Sequence, residues 1–594
     1  MQRYSFYLIT LLIIDLIFAM TRKQTIICSV LSATAVLAAF AFFNFIYPYH
    51  IHYQEQMQMF RFGGDYFRES VAVPGGLGDW LGGFLVQFFY YAPLGALILA
   101  LLLGMIQMLT WKNMEEGSFA AYPLSFLPSV AMFLFLCDEN ALVTSPIAII
   151  ASLTLTFALM KVKRTGLRSI ITIFLMPVMY FLFGSVSILV PAVVAVRSLL
   201  RKEDRKTLLA FASAASVMAV VIPLTARECS PYPLNRLVFG IHYHRYHNAI
   251  PLLVWISVLL VPSAMLMAAA FRKDRMIFAS LALFIIPAAG LAPIFTDMDK
   301  ERLFGYDFMT RMGQWNKILS TSSRHTPDSP IAVECTNLAL AKTEHLSSDM
   351  FTFFQNGPAG LLPEFTRDHF SPIPTGTVYY HLGMINTAQT FFFEAQEGIP
   401  DFQKSARLTQ ALVKTNIING DYEVARKYVR ALKQTLFYRK WAMETEKLLD
   451  EPALINKVPE YAYLCSVRIK EHDFMFSQEE MDSMLGLLYV ENSSNTMAMD
   501  YLLAWCLLRK DLDRFFECHK LLKEGYDARH YQEAVVLYWA LTHDGPEGMP
   551  SFVTRNTASS FARFISSVQS GRDEESMMKE FGNTYWFYYY YRFK

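Results

Sequence analysis

Apolar runs of roughly 16–25 residues follow one another from about residue 25 to Phe295, and none follows residue 300. About 20 such residues cross the hydrocarbon core of a bilayer as a helix, which satisfies its own backbone hydrogen bonds there. The pattern predicts about nine spans, at 25–47, 84–110, 119–137, 141–160, 168–183, 185–200, 207–226, 250–271 and 276–296. From Arg311 onward it changes to amphipathic helices of about 12–18 residues with short turns between them. The predicted fold is all-α: a polytopic transmembrane helical domain of about nine to ten spans, then a helical-repeat domain. The expected division is 1–23, an N-terminal apolar segment; 24–297, the transmembrane domain with a long first outer loop at 48–83; and 298–594, the helical domain. The segment Tyr4–Met20 is short for a span and contains Asp15. It is either a marginal span, an uncleaved signal-like segment or an over-extended start, and the reading preferred is that Met20 is the true start.

Charge turns the span pattern into a topology. If the connecting segments alternate between two faces, one face receives Arg22, Lys23, Lys112, Lys161, Lys163, Arg164, Arg168, Arg197, Arg201, Lys202, Arg205, Lys206, Arg272, Lys273 and Arg275. The other receives Arg61, Arg68, Arg227, Arg236 and Arg245. The excess of Lys and Arg marks the cytoplasmic face. An odd number of spans then sends the C-terminal domain to the opposite side, the periplasm if the membrane is a bacterial inner membrane. The parity depends on a break between 183 and 185; a single span over 168–200 would put the basic cluster at 197–206 on the wrong side.

Three connections fall on the outer face. The first, from Pro48 to Gly83, carries Tyr53, Met57 and Phe60 at helical spacing opposite Glu55, Gln58 and Arg61, which predicts an amphipathic helix lying in the membrane interface. Gly63 and Gly64 end it, Asp65 is expected to cap a second helix over Tyr66–Val71, and glycines flank Asp79 and Trp80. Asp65 is either that cap or a catalytic carboxylate facing the outer leaflet, with Glu55 and Asp79 as weaker candidates of the same kind. The second connection is only Asp138-Glu139-Asn140. Adjacent carboxylates at a membrane surface must be solvated, paired or bound to a cation. Oxygen ligands suit a divalent metal such as Mg²⁺ or Mn²⁺, which Asp65 could share. The third, Arg227–Asn248, clusters His242, His244, Arg245 and His247, which suit a carrier phosphate or an interfacial anchor.

The helical half carries one clear hairpin at 402–437, a helix, the turn Asn419-Gly420-Asp421-Tyr422 and a second helix, with a weaker echo at 498–522. This resembles a tetratricopeptide repeat loosely, a surface suited to a protein or peptide partner. The tail Tyr585–Phe593 is almost wholly aromatic and is expected to fold back on the domain or touch the membrane. No nucleophile elbow, kinase set, zincin or Walker motif occurs. The seven cysteines show no ligand spacing; Cys506 and Cys518 either pair or remain buried thiols. With 53 basic and 52 acidic residues the chain offers no basic surplus for nucleic acid.

The stretches HYQEQMQMFRFGGDYFRESVAVPGGLGDWLGGF and NLALAKTEHLSSDMFTFFQNGPAGLL resemble a Bacteroidota family of polytopic membrane proteins with helical-repeat tails. That resemblance covers most of the chain and implies an architecture but no activity. More distantly, the organisation resembles GT-C type glycosyltransferases, with many spans, a long first outer loop bearing a catalytic acid and an external C-terminal domain. It implies transfer of sugar from a polyprenyl-phosphate-linked donor at the outer face of the inner membrane. Asp65, with Glu55 beside it, would be the first-loop acid, Asp138 and Glu139 the metal-binding pair, and Arg245 with the three histidines the carrier-phosphate ligands. The pair is adjacent here instead of spaced, and no WWDYG-type acceptor motif is present. The alternative is a non-catalytic membrane scaffold whose helical repeats bind envelope proteins. A transporter is disfavoured by the scarcity of ionisable residues within the spans.

Overall fold

In the computed structural model the described residues, 21–114, 118–230, 232–239, 250–271, 273, 276–400, 403–469, 480–522 and 527–592, fold into helices and connecting turns, with no strand among them. It divides into two compact units. One runs up to Glu301 and includes Pro400–Gln403 and Gln434–Phe437; the other comprises Arg302–Ile399, Lys404–Lys433 and Tyr438–Lys594.

Among the described residues of the first unit, six helices are long and apolar enough to cross a membrane: Arg22–Ile46, Ala92–Asn113, Phe119–Leu136, Thr165–Phe183, Leu208–Ala226 and Ile277–Phe295. That is fewer than the nine to ten expected. Thr144–Leu159, Ser185–Leu200 and Leu252–Ala268 are apolar helices at three further expected positions but are shorter. At 1.5 Å per residue a helix of 16 residues reaches only about 24 Å, against a hydrocarbon core of about 30 Å. Turn residues shorten the first and third of these helices, whereas Ser185–Leu200 fills its expected range. The 138–143 turn takes residues from the expected span at 141–160, and Pro251 starts its helix late. The expected break near 183 is present: Gly184 sits at φ 74°, ψ −167°, a conformation open to glycine alone, and separates two helices.

Two of the basic residues assigned to the cytoplasmic face lie inside this unit. Arg168 is buried and pairs with Glu203. Arg197, also buried, donates to Asn113 Oδ1 at 3.1 Å. The first outer loop also differs from expectation. Its helix Pro48–Gln56 buries its polar as well as its apolar side chains, Ile51 and Tyr53 alongside His50, Gln54, Glu55 and Gln56. A helix buried on both faces is a packed element, not one lying on a bilayer. Beyond it Phe60, Tyr66, Trp80 and Phe84 meet edge to face or stacked at centroid distances of 5.4–6.3 Å.

In the second unit, consecutive helices pack against one another from Pro372–Leu382 through Ile385–Glu397, Ala406–Asn419 and Tyr422–Leu432 to Arg439–Asp450. Side-chain caps start several helices: Ser405 accepts from the Leu408 N–H, Asn495 from Ala498 and Asp511 from Arg514. The turn at 419–422 forms as read, with Gly420 at φ 88° ending its helix. The aromatic tail is a helix, Tyr585–Tyr591, folded back into this unit: Trp586 donates to the Glu533 carbonyl at 2.7 Å and Tyr588 to that of Leu508 at 2.8 Å. Cys506 and Cys518 are buried free thiols.

Candidate functional site

Two polar constellations sit at helix ends of the membrane unit, both on the face that the charge pattern leaves poor in lysine. The first is a small cavity. Asp79 stands in the first turn of the Gly76–Val86 helix, and Thr144 opens the Thr144–Leu159 helix. The Thr144 hydroxyl donates to Asp79 Oδ1 at 2.8 Å. Gly82 permits this approach: a Cβ there would lie 3.0 Å from Thr144 Oγ1 and 3.1 Å from its backbone nitrogen. Across the cavity, Tyr180 donates to the Leu237 carbonyl at 2.8 Å and fixes the short helix Leu234–Phe239, which brings in Arg236. The Gly75 N–H donates to the Phe181 carbonyl at 2.9 Å, so the first loop is tied to the Gly184 break. Asp79, Thr144, Tyr180, Tyr232 and the buried Arg236 thus line one space of about 40 Å³, room for a water or two.

The second constellation joins the residues after the first and last spans. Glu301 receives the Tyr49 N–H at 2.7 Å, the His50 N–H at 3.0 Å and His50 Nδ1 at 2.8 Å, all in a buried setting. The His50 ring stacks on Tyr47 with centroids 4.0 Å apart. The Tyr47 hydroxyl donates to the Cys137 carbonyl and accepts from the Asp297 N–H, each at 3.1 Å. Burial raises the Tyr47 phenol well above its ordinary value and keeps it neutral. Beside this network Glu139 Oε1 pairs with Lys300 Nζ at 2.5 Å. Partial burial opposes the Lys300 ammonium, but its bond to Glu139 and the neighbouring carboxylates outweigh this, and its pKa is raised. Asp138 accepts the Asn140 N–H at 2.7 Å. Its pKa is raised, first by desolvation and then by Glu139, against the lowering effects of Asn140, Lys300 and His50. The side chain still reaches solvent, which limits that shift.

The sequence-derived candidates are distributed differently. Asp65 is not the cap of its helix; Gly63 is, and Asp65 lies in the first turn, largely exposed, paired with Arg68 at 2.5 Å. Glu55 is buried within Pro48–Gln56. Asp138 and Glu139 share a turn, but no group of three or more His, Cys, Asp or Glu able to hold a metal ion occurs among the described residues. With Glu139 already held by Lys300, the pair does not fit a resident divalent metal, and no step is assigned to one. His242, His244, Arg245 and His247 lie outside the described residues. Sequence reasoning missed His50, Arg236 and Glu301. The available signal was position, because His50 and Glu301 each follow a span directly; their pairing across 251 residues left no local trace.

The architecture of the described residues is helical, with six helices long and apolar enough to cross a membrane in the first unit and a second helical unit. A family model, the family of unknown function DUF6057, matches residues 22–592, and the chain belongs to that family. No curated protein and no solved structure matches it.

Proposed function

We propose that this protein is a membrane glycosyltransferase of the GT-C kind, taking sugar from a polyprenyl-phosphate-linked donor at the outer face of a bacterial inner membrane. The observation that supports this reading is that a carboxylate and a buried arginine, Asp79 and Arg236, line one cavity at the helix ends. A guanidinium shielded from water holds phosphate oxygens strongly and at fixed orientation, both in the donor's phosphodiester and in the polyprenyl monophosphate that departs. A carboxylate at the same site can accept the proton of an attacking hydroxyl. Asp79, held by Thr144, takes the role of first-loop acid in place of the exposed Asp65. The present cavity is too small for a sugar phosphate, so the first loop and the Leu234–Phe239 helix must part to admit one. In this reading the three shorter apolar helices of the first unit cross as well, which keeps the span count odd and the second unit on the periplasmic side, where its helical hairpins would take the acceptor.

The test uses full-length protein in proteoliposomes, with polyprenyl monophosphate as the probe and phosphate-free polyprenol as its control. The phosphate raises the unfolding temperature and polyprenol does not; Arg236→Ala loses the response, whereas Asp65→Asn keeps it. Asp79→Asn binds the probe but transfers no sugar from a labelled polyprenyl-phosphate hexose panel. Equal stabilisation by polyprenol, or an undiminished response in Arg236→Ala, overturns the assignment.

A further inference from the structure

A second cavity, of about 340 Å³, opens among the helices Arg22–Ile46, Ala92–Asn113, Phe119–Leu136 and Ile277–Phe295. Small residues form its floor, among them Ala35, Ala39, Gly104, Ala288 and Ala292, and phenylalanines wall it. Gly104 lets the first two of these helices close on each other, since a Cβ there would lie 2.7 Å from Val36 Cγ2. The few polar groups in the lining satisfy one another or the backbone. Ser32 donates to Gln107 Oε1 at 2.8 Å, Gln107 donates to Ser125 Oγ at 2.8 Å, and Ser129 donates to the Leu103 carbonyl at 2.9 Å. Nothing there calls for water, and an apolar cavity without polar demand stays dry or takes hydrocarbon.

Dimensions select the occupant. The lining on the first helix runs from Ser32 to Phe42. Ten residues rise about 15 Å, half of a hydrocarbon core of about 30 Å. The groove therefore spans one leaflet, the one on the side of the 137–140 turn. Its volume holds roughly eleven water-sized groups in single file, which is one chain of leaflet length and not a long isoprenoid. The helix ends beyond it carry charge. Phe42, in the lining, stacks on Tyr47 with centroids 5.5 Å apart, and the Tyr47 hydroxyl is bonded to the Cys137 carbonyl and the Asp297 N–H. Asp138 and Glu139 follow the lining residue Phe133, and Asp297 follows the lining residue Ala292, by about one and a half helical turns. Lys300 engages Glu139 at 2.5 Å and Asp297 at 3.8 Å. Asp297 is half exposed and Asp138 is exposed. We infer that the groove seats one acyl chain of a phospholipid whose head carries an ammonium group, such as phosphatidylethanolamine, with that head over these carboxylates. The inference does not depend on sugar transfer.

The experiment places full-length protein in nanodiscs of mixed phosphatidylethanolamine and phosphatidylglycerol, with a photoactivatable diazirine in the acyl chain of one lipid or the other, and maps the adducts by mass spectrometry. Adducts are expected on Ser32–Phe42 and Phe284–Ala292. Ala288→Phe, which fills the groove, reduces them roughly tenfold. Ile286→Phe, of equal bulk on an exposed face of the same helix outside the groove, leaves them unchanged and controls for insertion and folding. The ethanolamine-headed probe labels about fivefold more than the glycerol-headed one, and Asp138→Asn with Asp297→Asn removes that preference. Labelling that survives Ala288→Phe overturns the site. Equal labelling by both heads overturns the choice of lipid. Competition by polyprenyl phosphate as effective as that by phosphatidylethanolamine reassigns the groove to a carrier lipid and also overturns it.

Discussion

Two apolar helices in this chain are built from similar residues and covered by different things. Thr496–Leu508, in the second unit, has eleven of its 13 residues buried by protein. Ile277–Phe295 has one of 19 buried, Ser280, and exposes Ile285, Ile286 and Ile294. Apolar sequence alone states only that cover is required. Length decides what supplies it, because 19 residues reach about 28 Å, enough for a bilayer, and 13 reach about 20 Å. The short helix must be roofed by neighbours, and eleven of its residues are; the long one carries several of its large apolar side chains outward.

The difference can be broken or sharpened by substitution, with the largest effects expected first. The second unit also encloses charge: Arg407 meets Asp307 through two bonds of 2.5 and 2.9 Å, both side chains nearly buried. Arg407→Met strands that carboxylate and is expected to cost about 3–5 kcal/mol, read as the unfolding temperature of the second unit in detergent. Leu503→Ala, at a site with no solvent contact, opens a cavity and costs roughly 2–5 kcal/mol. The matched truncation Ile286→Ala, at a position of that helix without protein cover, costs under about 0.5 kcal/mol in the same measurement. Equal losses at the two sites would mean that Ile277–Phe295 packs against protein and not lipid.

Proton linkage gives smaller effects confined to the second unit. Enclosure, helped by Lys342 and Lys414, lowers the His381 imidazole to about 3. The unfolded chain then binds a proton between pH 6.5 and 3 that the folded one refuses. Stability is complete above pH 6.5 and falls as pH drops, by at most about 1.4 kcal/mol per pH unit and by less because the ring keeps some solvent contact. His381→Gln should flatten this acid limb. Asp500 has the opposite sign: burial raises it to about 6 despite the Tyr531 hydroxyl, so stability declines as pH rises from about 4 to 6 and then levels. Asp500→Asn should remove that decline; if unfolding temperatures between pH 4 and 6 keep the same slope, Asp500 is not its source.

Much of the helical architecture was legible because its signals are local. Runs of apolar residues and the Gly420 turn each act within a few residues. Span number was less legible because hydropathy carries on through turn residues: the apolar Ala141–Val143 reads as span but belongs to a turn. The candidate site was mostly illegible. Asp65 met the sequence criterion of an acid in the first outer loop, yet Arg68, one turn on, neutralises it in solvent. Asp79 met the same criterion more weakly and lies beside Thr144 and Arg236, residues far along the chain that only the packing of several helices brings near. The enclosure of Pro48–Gln56 was hidden for the same reason, since an amphipathic pattern states which face is apolar and not what lies against the other.

The Tyr585–Tyr591 helix has a consequence for turnover. Phe351, Glu533 and the Leu508 carbonyl receive their cover from Tyr585, Trp586 and Tyr588. A cut that releases this helix uncovers aromatic rings and polar groups together, which is the kind of surface that proteases and chaperones recognise.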